Sequence, residues 1–156
     1  MYFVDNYRLL AYPAQTPNTR GLYRAQLGAI HAIASHFTIS AEPAIVTMPT
    51  GSGKTAVLMM APFVLRSTRA LVITPGRLVR EQIAEDFRAL EVLKLSGVLP
   101  PGVEPPTLVE LRSKVADTDS WETLREADVV VSTPNCVSPG HLGVPPPPSD
   151  RVWIPS

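Results

Sequence analysis

Met48-Pro49-Thr50-Gly51-Ser52-Gly53-Lys54-Thr55 is the stretch around which the rest of the chain is read. The run before it, Ala44-Ile45-Val46-Thr47-Met48, is short, apolar and of strand type. The run after it, Ala56 to Leu65, is apolar and free of glycine, so it is expected to continue as a helix. A glycine-rich turn between strand and helix, closing on Gly53-Lys54-Thr55, has the layout of a phosphate-binding loop. Gly51 and Gly53 let the backbone turn its N–H groups inward without Cβ clashes. Those donors, with the positive end of the following helix, suit phosphate oxygens. Pro49, Thr50, Gly51, Ser52, Gly53, Lys54 and Thr55 are therefore the candidate nucleotide-binding residues. Lys54 is expected to reach the β- and γ-phosphates and Thr55 to place its hydroxyl on Mg²⁺, which makes these two the catalytic candidates. The plainer alternative is a Gly-Ser turn that only caps a helix. Strand, turn, Lys-Thr and helix all in register favour the nucleotide.

Composition sets outer limits. The 156 residues suit one domain, and at 45% apolar they can bury a core. The longest uncharged apolar run, Ala56–Leu65, is too short to span a bilayer. Asp5 and Arg8 interrupt the apolar N-terminus, which therefore does not read as a secretory signal. A single Cys136 rules out an internal disulfide and fits a reducing cytoplasm, and a small apolar side chain beside a loop is its simplest role. His31 and His36 lie about 140° apart around a helix axis, so they do not converge on a metal. Net charge is zero, yet residues 1–90 hold nine Lys/Arg and five Asp/Glu, and residues 91–156 hold five and nine. That asymmetry permits a basic nucleic-acid face on the first half, and a solvated mixed surface explains it equally well.

Along the chain, residues 1–19 read as a lead-in with at most one short strand, since Pro13 and Pro17 interrupt it. From Gly21 to Phe37 the pattern is helical, with Leu22, Gln26, Ile30, Ile33, Ala34 and Phe37 near one stripe. Pro62 is expected to bend or shorten the helix after the loop. Arg69–Thr74 reads as a buried strand, closed by Pro75-Gly76. Residues 77–90 read as a helix with Val79, Ile83, Phe87 and Leu90 inside and Arg80, Glu81 and Glu85 outside. Prolines make a loop of 97–106, a strand is expected at Thr107–Leu111, and a short helix at Ser120–Glu126. Asp128–Ser132 is a third strand, ending in Thr133-Pro134, and Pro145–Pro148 reads as a stiff connector. Strands alternating with helices, the strands continuously apolar, point to an α/β fold with a mostly parallel sheet covered on both faces.

The loop departs from the general pattern at its first position, where Met48 replaces glycine. That variant, with the Thr-Gly-Ser-Gly-Lys-Thr that follows, resembles motif I of superfamily 2 helicases and translocases, where alanine is commonest at the position of Met48. Gln26 stands where those proteins carry a glutamine that reads adenine. An amide can accept from the exocyclic amine and donate to a ring nitrogen, which guanine does not match; a polar residue at a helix edge is the alternative. Leu71–Leu78, followed by Gln82, looks like motif Ia, and Val129–Asn135 like motif Ib. By that resemblance Thr74, Pro75, Arg77, Gln82, Ser132 and Thr133 would contact a nucleic-acid backbone. A helix N-terminus and an arginine are fitting phosphate partners.

The whole, over about residues 20–135, resembles the first RecA-like lobe of a superfamily 2 motor of the restriction-subunit and DEAD/DEAH-like group. It implies a RecA-like P-loop domain at 20–138, followed by a proline-rich segment at 139–156. It also implies ATP and Mg²⁺ as cofactors, DNA or RNA as a weakly held partner, a second lobe or other chain as a further partner, and no membrane. Family members continue to a strand that ends in Asp-Glu, whose start Asp150-Arg151-Val152-Trp153-Ile154 resembles. Pro155-Ser156 stands where the acidic pair is expected, so the sequence reads as a lobe interrupted before it and inactive alone. Two other readings are a non-enzymatic module binding nucleotide or a partner chain, and a small-molecule P-loop kinase. Met48 and the two Thr-Pro strand ends count against the kinase.

Overall fold

The computed structural model describes residues 1–114, 124–137 and 153–155. Contacts divide the chain into two interleaved units. One comprises Met1–Tyr2, Thr68–Ala89 and Pro105–Ser156; the other comprises Phe3–Ser67 and Leu90–Glu104.

The first unit is built on a sheet of four short strands, β1 (Ala70–Ile73), β2 (Leu108–Glu110), β3 (Val129–Ser132) and β4 (Trp153–Pro155). Their order is β2-β3-β1-β4 and every pairing is parallel, with Ala70 opposite Val129, Leu108 opposite Val129, and Leu71 opposite Trp153. Apolar β-branched side chains dominate β1 and β3, and they suit the pleated surface of an internal strand. Ala70, Val72, Val129 and Val131 are buried while Leu71, Ile73 and Val130 are only half-buried. The fold is thus α/β with a parallel sheet, as the alternating pattern implies. Helix α4 (Arg77–Ala89) follows β1 and packs on β2 and β3. A helical turn at 124–126 precedes β3, and a one-turn helix, which we call α6 (Pro134–Val137), follows it. The rest of the expected helix at 120–126, the proline run at 145–148 and residues 150–152 lie outside the described residues.

The second unit is helical. It contains α1 (Tyr2–Asn6, whose first residue belongs to the other unit), a 3₁₀ turn (Tyr7–Leu9), α2 (Arg24–Ile39), α3 (Lys54–Val64) and α5 (Glu91–Leu95). Leu22, Ile30, Met59, Met60, Phe63, Leu90, Leu93, Val98 and Leu99 are buried. The Phe3 and Phe63 rings meet edge to face at 4.9 Å. Pro62 falls in the last turn of α3, and the helix continues through it for two residues before the cap.

Three local expectations are corrected, and one helix is added. Residues 44–48 form no strand: Ile45 is 96% exposed and the segment joins no ladder. Apolar β-type composition makes a strand only where a neighbouring strand supplies hydrogen bonds. The lead-in is helical at Tyr2–Leu9 instead of carrying a strand. Arg80 is buried and Val79 exposed, the reverse of their expected faces. Helix α5, just before the 97–106 loop, has no counterpart in the periodicity reading.

Candidate functional site

Within the helical unit, the loop at 49–55 turns twice through the left-handed region, with φ of 78° at Gly51 and 75° at Gly53. Gly53 is the N-cap of α3, so the turn delivers the chain directly into the helix that begins at Lys54. The carbonyl of Pro49 gathers the interior of the loop. It accepts from Ser52 N at 3.3 Å, Ser52 Oγ at 2.7 Å and Lys54 Nζ at 3.0 Å. Lys54 therefore folds back across the loop and remains exposed. Among the described residues, no acceptor in the chain takes the backbone N–H groups of Gly51, Gly53, Lys54 or Thr55. Four unfilled donors with a lysine beside them are a donor set for anionic oxygens. Nothing lies within 4 Å of where a Cβ on Gly51 would stand, so the approach to the loop is open. These donors and Lys54 fit the phosphate chain of a nucleoside triphosphate.

Gln26, the adenine candidate, is buried on the inner face of α2. Its Oε1 accepts from Tyr23 N at 2.7 Å, a return bond of the kind that closes a helix start, and its Nε2 donates to Gly53 O at 2.9 Å. The side chain therefore ties the first turn of α2 to the loop. A Cβ on Gly53 would run into Gln26 Nε2, so glycine is demanded there both by the backbone angle and by this close approach. An amide has two lone pairs and two N–H bonds, so one of each remains for a base edge. Beside Gln26 an open cleft of about 290 Å³ is lined by Gln15, Arg20, Leu22, Tyr23 and Ser96 among others. Tyr23, 49% exposed, and Arg20 are functional candidates that sequence reasoning missed. Their place just before the helix that carries Gln26 is the signal that could have found them.

The remaining candidates lie in the sheet unit. Thr74 and Ser132 close the parallel pair β1–β3 and are 1% and 0% exposed. Thr74 N donates to Ser132 O at 2.9 Å, and Thr74 Oγ1 is shared between Ser132 O and Gly76 O at 3.2 Å each. Ser132 Oγ donates to Thr133 O at 3.2 Å. Both hydroxyls are thus engaged and enclosed, unlike surface contacts. Pro75, Arg77 and Gln82 are exposed, and Thr133 is half-buried with its hydroxyl 3.5 Å from Cys136 Sγ. Arg77 makes no ion pair with any described residue, so its charge is available at the start of α4.

Arg80 points the other way along α4, into an ion pair with Glu110 on β2 at 2.9 Å. Their side chains are 3% and 5% exposed. Arg112 at 2.8 Å and Arg88 at 3.7 Å complete the surroundings of Glu110. Hydrogen bonding from Arg112, then from Arg80, holds the Glu110 carboxyl below its ordinary range against the opposing effect of desolvation. This arrangement fastens α4 to the sheet edge. No group of three or more potential metal ligands occurs among the described residues, and none of their helices is long and apolar enough to cross a membrane.

None of the curated proteins matches the chain. Among solved structures, a hypothetical ATP-dependent RNA helicase from Sulfolobus tokodaii is similar at 22% identity and a TM-score of 0.49, over 76% of this chain. The chain spans 31% of that protein's length. The sequence profile described as DEAD/DEAH box helicase matches residues 23–143, which contain the phosphate loop, Gln26 and both strand-end turns. The chain belongs to the DEAD/DEAH box helicase family.

Proposed function

We propose that this chain is the ATP-binding lobe of a superfamily 2 helicase or translocase acting on DNA or RNA in the cytoplasm. Residues 1–19 form its lead-in, 20–138 the lobe and 139–156 a proline-rich extension. The observation that supports the reading most is the loop, where four unfilled N–H donors, two left-handed glycines and Lys54 adjoin one helix start. Backbone donors of Gly51, Gly53, Lys54 and Thr55 would hold the phosphates, and Lys54 would exchange the Pro49 carbonyl for phosphate oxygens. Thr55 would offer its hydroxyl to Mg²⁺, which when bound neutralises phosphate charge. Gln26 would present its spare donor and acceptor to adenine, while Tyr23 and Arg20 border the same cleft. Pro75, Arg77, Gln82 and Thr133 would meet the nucleic-acid backbone weakly, with Thr74 and Ser132 behind them.

Titration of the purified chain with a fluorescent ATP analogue and Mg²⁺ tests the reading. Saturable binding is expected, and Lys54→Ala should lose most of it. Equal binding by wild type and variant would sink the nucleotide role. Partner capture by the proline-rich extension, unaffected by Lys54→Ala, would favour the non-enzymatic alternative.

A further inference from the structure

The turn after β1 and the turn after β3 are built alike and joined by one hydroxyl. After β1, the carbonyl of Gly76 opens α4 by accepting from Arg80 N at 3.0 Å, and Thr74 Oγ1 donates to that same carbonyl. After β3, the carbonyl of Thr133 opens α6 by accepting from Cys136 N at 3.0 Å, and Ser132 Oγ donates to it in turn. Thr74 Oγ1 also reaches Ser132 O, which already accepts the last ladder bond from Thr74 N. The first turn of α4 and the first turn of α6 are therefore linked through the Thr74 hydroxyl, whose one hydrogen is shared between two carbonyls, and through Ser132, whose O and Oγ serve the two sides. Neither hydroxyl is open to solvent.

Resting on the proposed nucleic-acid contact of these turns, we infer that Thr74 is a positioning residue that sets the two turns as one rigid surface. Its hydroxyl fixes where α4 begins, hence where Arg77 presents its guanidinium relative to Thr133 across the strand ends. Ser132 does the same for the second turn. Neither side chain touches the nucleic acid. A buried hydroxyl with two carbonyls in reach leaves little freedom to the loop between them, and a charged contact to phosphate depends on such placement.

Thr74→Val keeps the branched shape and removes only the hydroxyl. Gly76 O and Ser132 O keep their backbone donors, so no buried carbonyl is orphaned and the variant should fold. Anisotropy titrations with fluorescein-labelled oligo-uridine and oligo-deoxythymidine over a range of salt concentrations, in wild type, Thr74→Val, Arg77→Ala and the double variant, test the inference. Arg77→Ala should weaken binding about three- to tenfold and lower the salt slope by about one. Thr74→Val should reproduce most of both effects although it removes no charge, and the double variant should bind no worse than Arg77→Ala alone. Thr74→Ser should restore wild-type behaviour. Wild-type binding by Thr74→Val, an unchanged salt slope, or additive losses would overturn the positioning role while leaving the Arg77 contact intact. No loss in Arg77→Ala would instead remove the nucleic-acid contact of this turn, and the positioning role with it.

Discussion

Gln26 holds the loop in the structure, and reading adenine is its proposed second task. Position makes it an adenine candidate, whereas in the structure its amide already holds Tyr23 N and Gly53 O. Truncation should therefore act on the loop as well as on the base. Gln26→Ala is expected to weaken ATP and GTP together, because Gly53 loses its tether to α2. It should also narrow any preference for ATP over GTP, for which a bidentate base contact is worth about 1–3 kcal/mol by analogy with side chain–base pairs. Competition of each nucleotide against a fluorescent analogue separates the effects. Loss of both affinities with the ATP/GTP ratio unchanged would confine Gln26 to the tether. An absence of ATP preference in the wild type would lead to the same conclusion.

Helix α4 shows how charge and periodicity compete within one element. Its pattern puts Ile83 and Phe87 inside, as found, but Arg80 is also inside because Glu110 waits on β2. Breaking a buried pair strands the surviving charge, at a cost of about 3–5 kcal/mol. Glu110→Gln should fall at the low end of that range, since Glu81 remains 3.7 Å from Arg80. The Glu110 carboxyl is held below its ordinary range, so its stabilising effect is complete above the unfolded carboxylate value of about 4.3. It is lost as pH falls through the lowered folded value. Thermal unfolding from neutral to acid pH should show wild-type stability declining in that window and a flatter profile in Glu110→Gln. Parallel profiles would mean that the pair contributes nothing to acid sensitivity.

At the scale of the whole molecule, the loop at 49–55 collects four unfilled N–H donors and Lys54 at one helix start, groups suited to holding a triphosphate. Phosphoryl transfer depends on placing the metal and the attacking water as much as on holding phosphate. Any phosphate release by the purified chain, with or without DNA or RNA, is expected to require Lys54, which adjoins the phosphates in the proposed site. A coupled phosphate-release assay decides this. Turnover that persists in Lys54→Ala would take the loop out of the reaction.

Much of this architecture follows from local sequence. The loop and the helix after it, the β1, β2 and β3 strands, and the helices carrying Gln26 and Arg77 are all legible. Their signals, glycines needing positive φ and runs with helical or strand periodicity, act over a few residues. The exposure of residues 44–48 is decided by whether a neighbouring strand is present, which composition does not encode. Side-chain roles depend on longer reach. Gln26 finds Gly53 27 residues away, Arg80 finds Glu110 at 30, and Thr74 finds Ser132 at 58. The sequence by itself determined that a phosphate loop opens a helix within an α/β fold, and which residue types stand at the strand ends. Tertiary structure alone decided that Thr74 and Ser132 turn inward, that Arg80 is buried and that Gln26 holds the loop. A hydroxyl, amide or guanidinium satisfies its hydrogen bonds with whatever the fold brings near, and only the folded chain sets that neighbour.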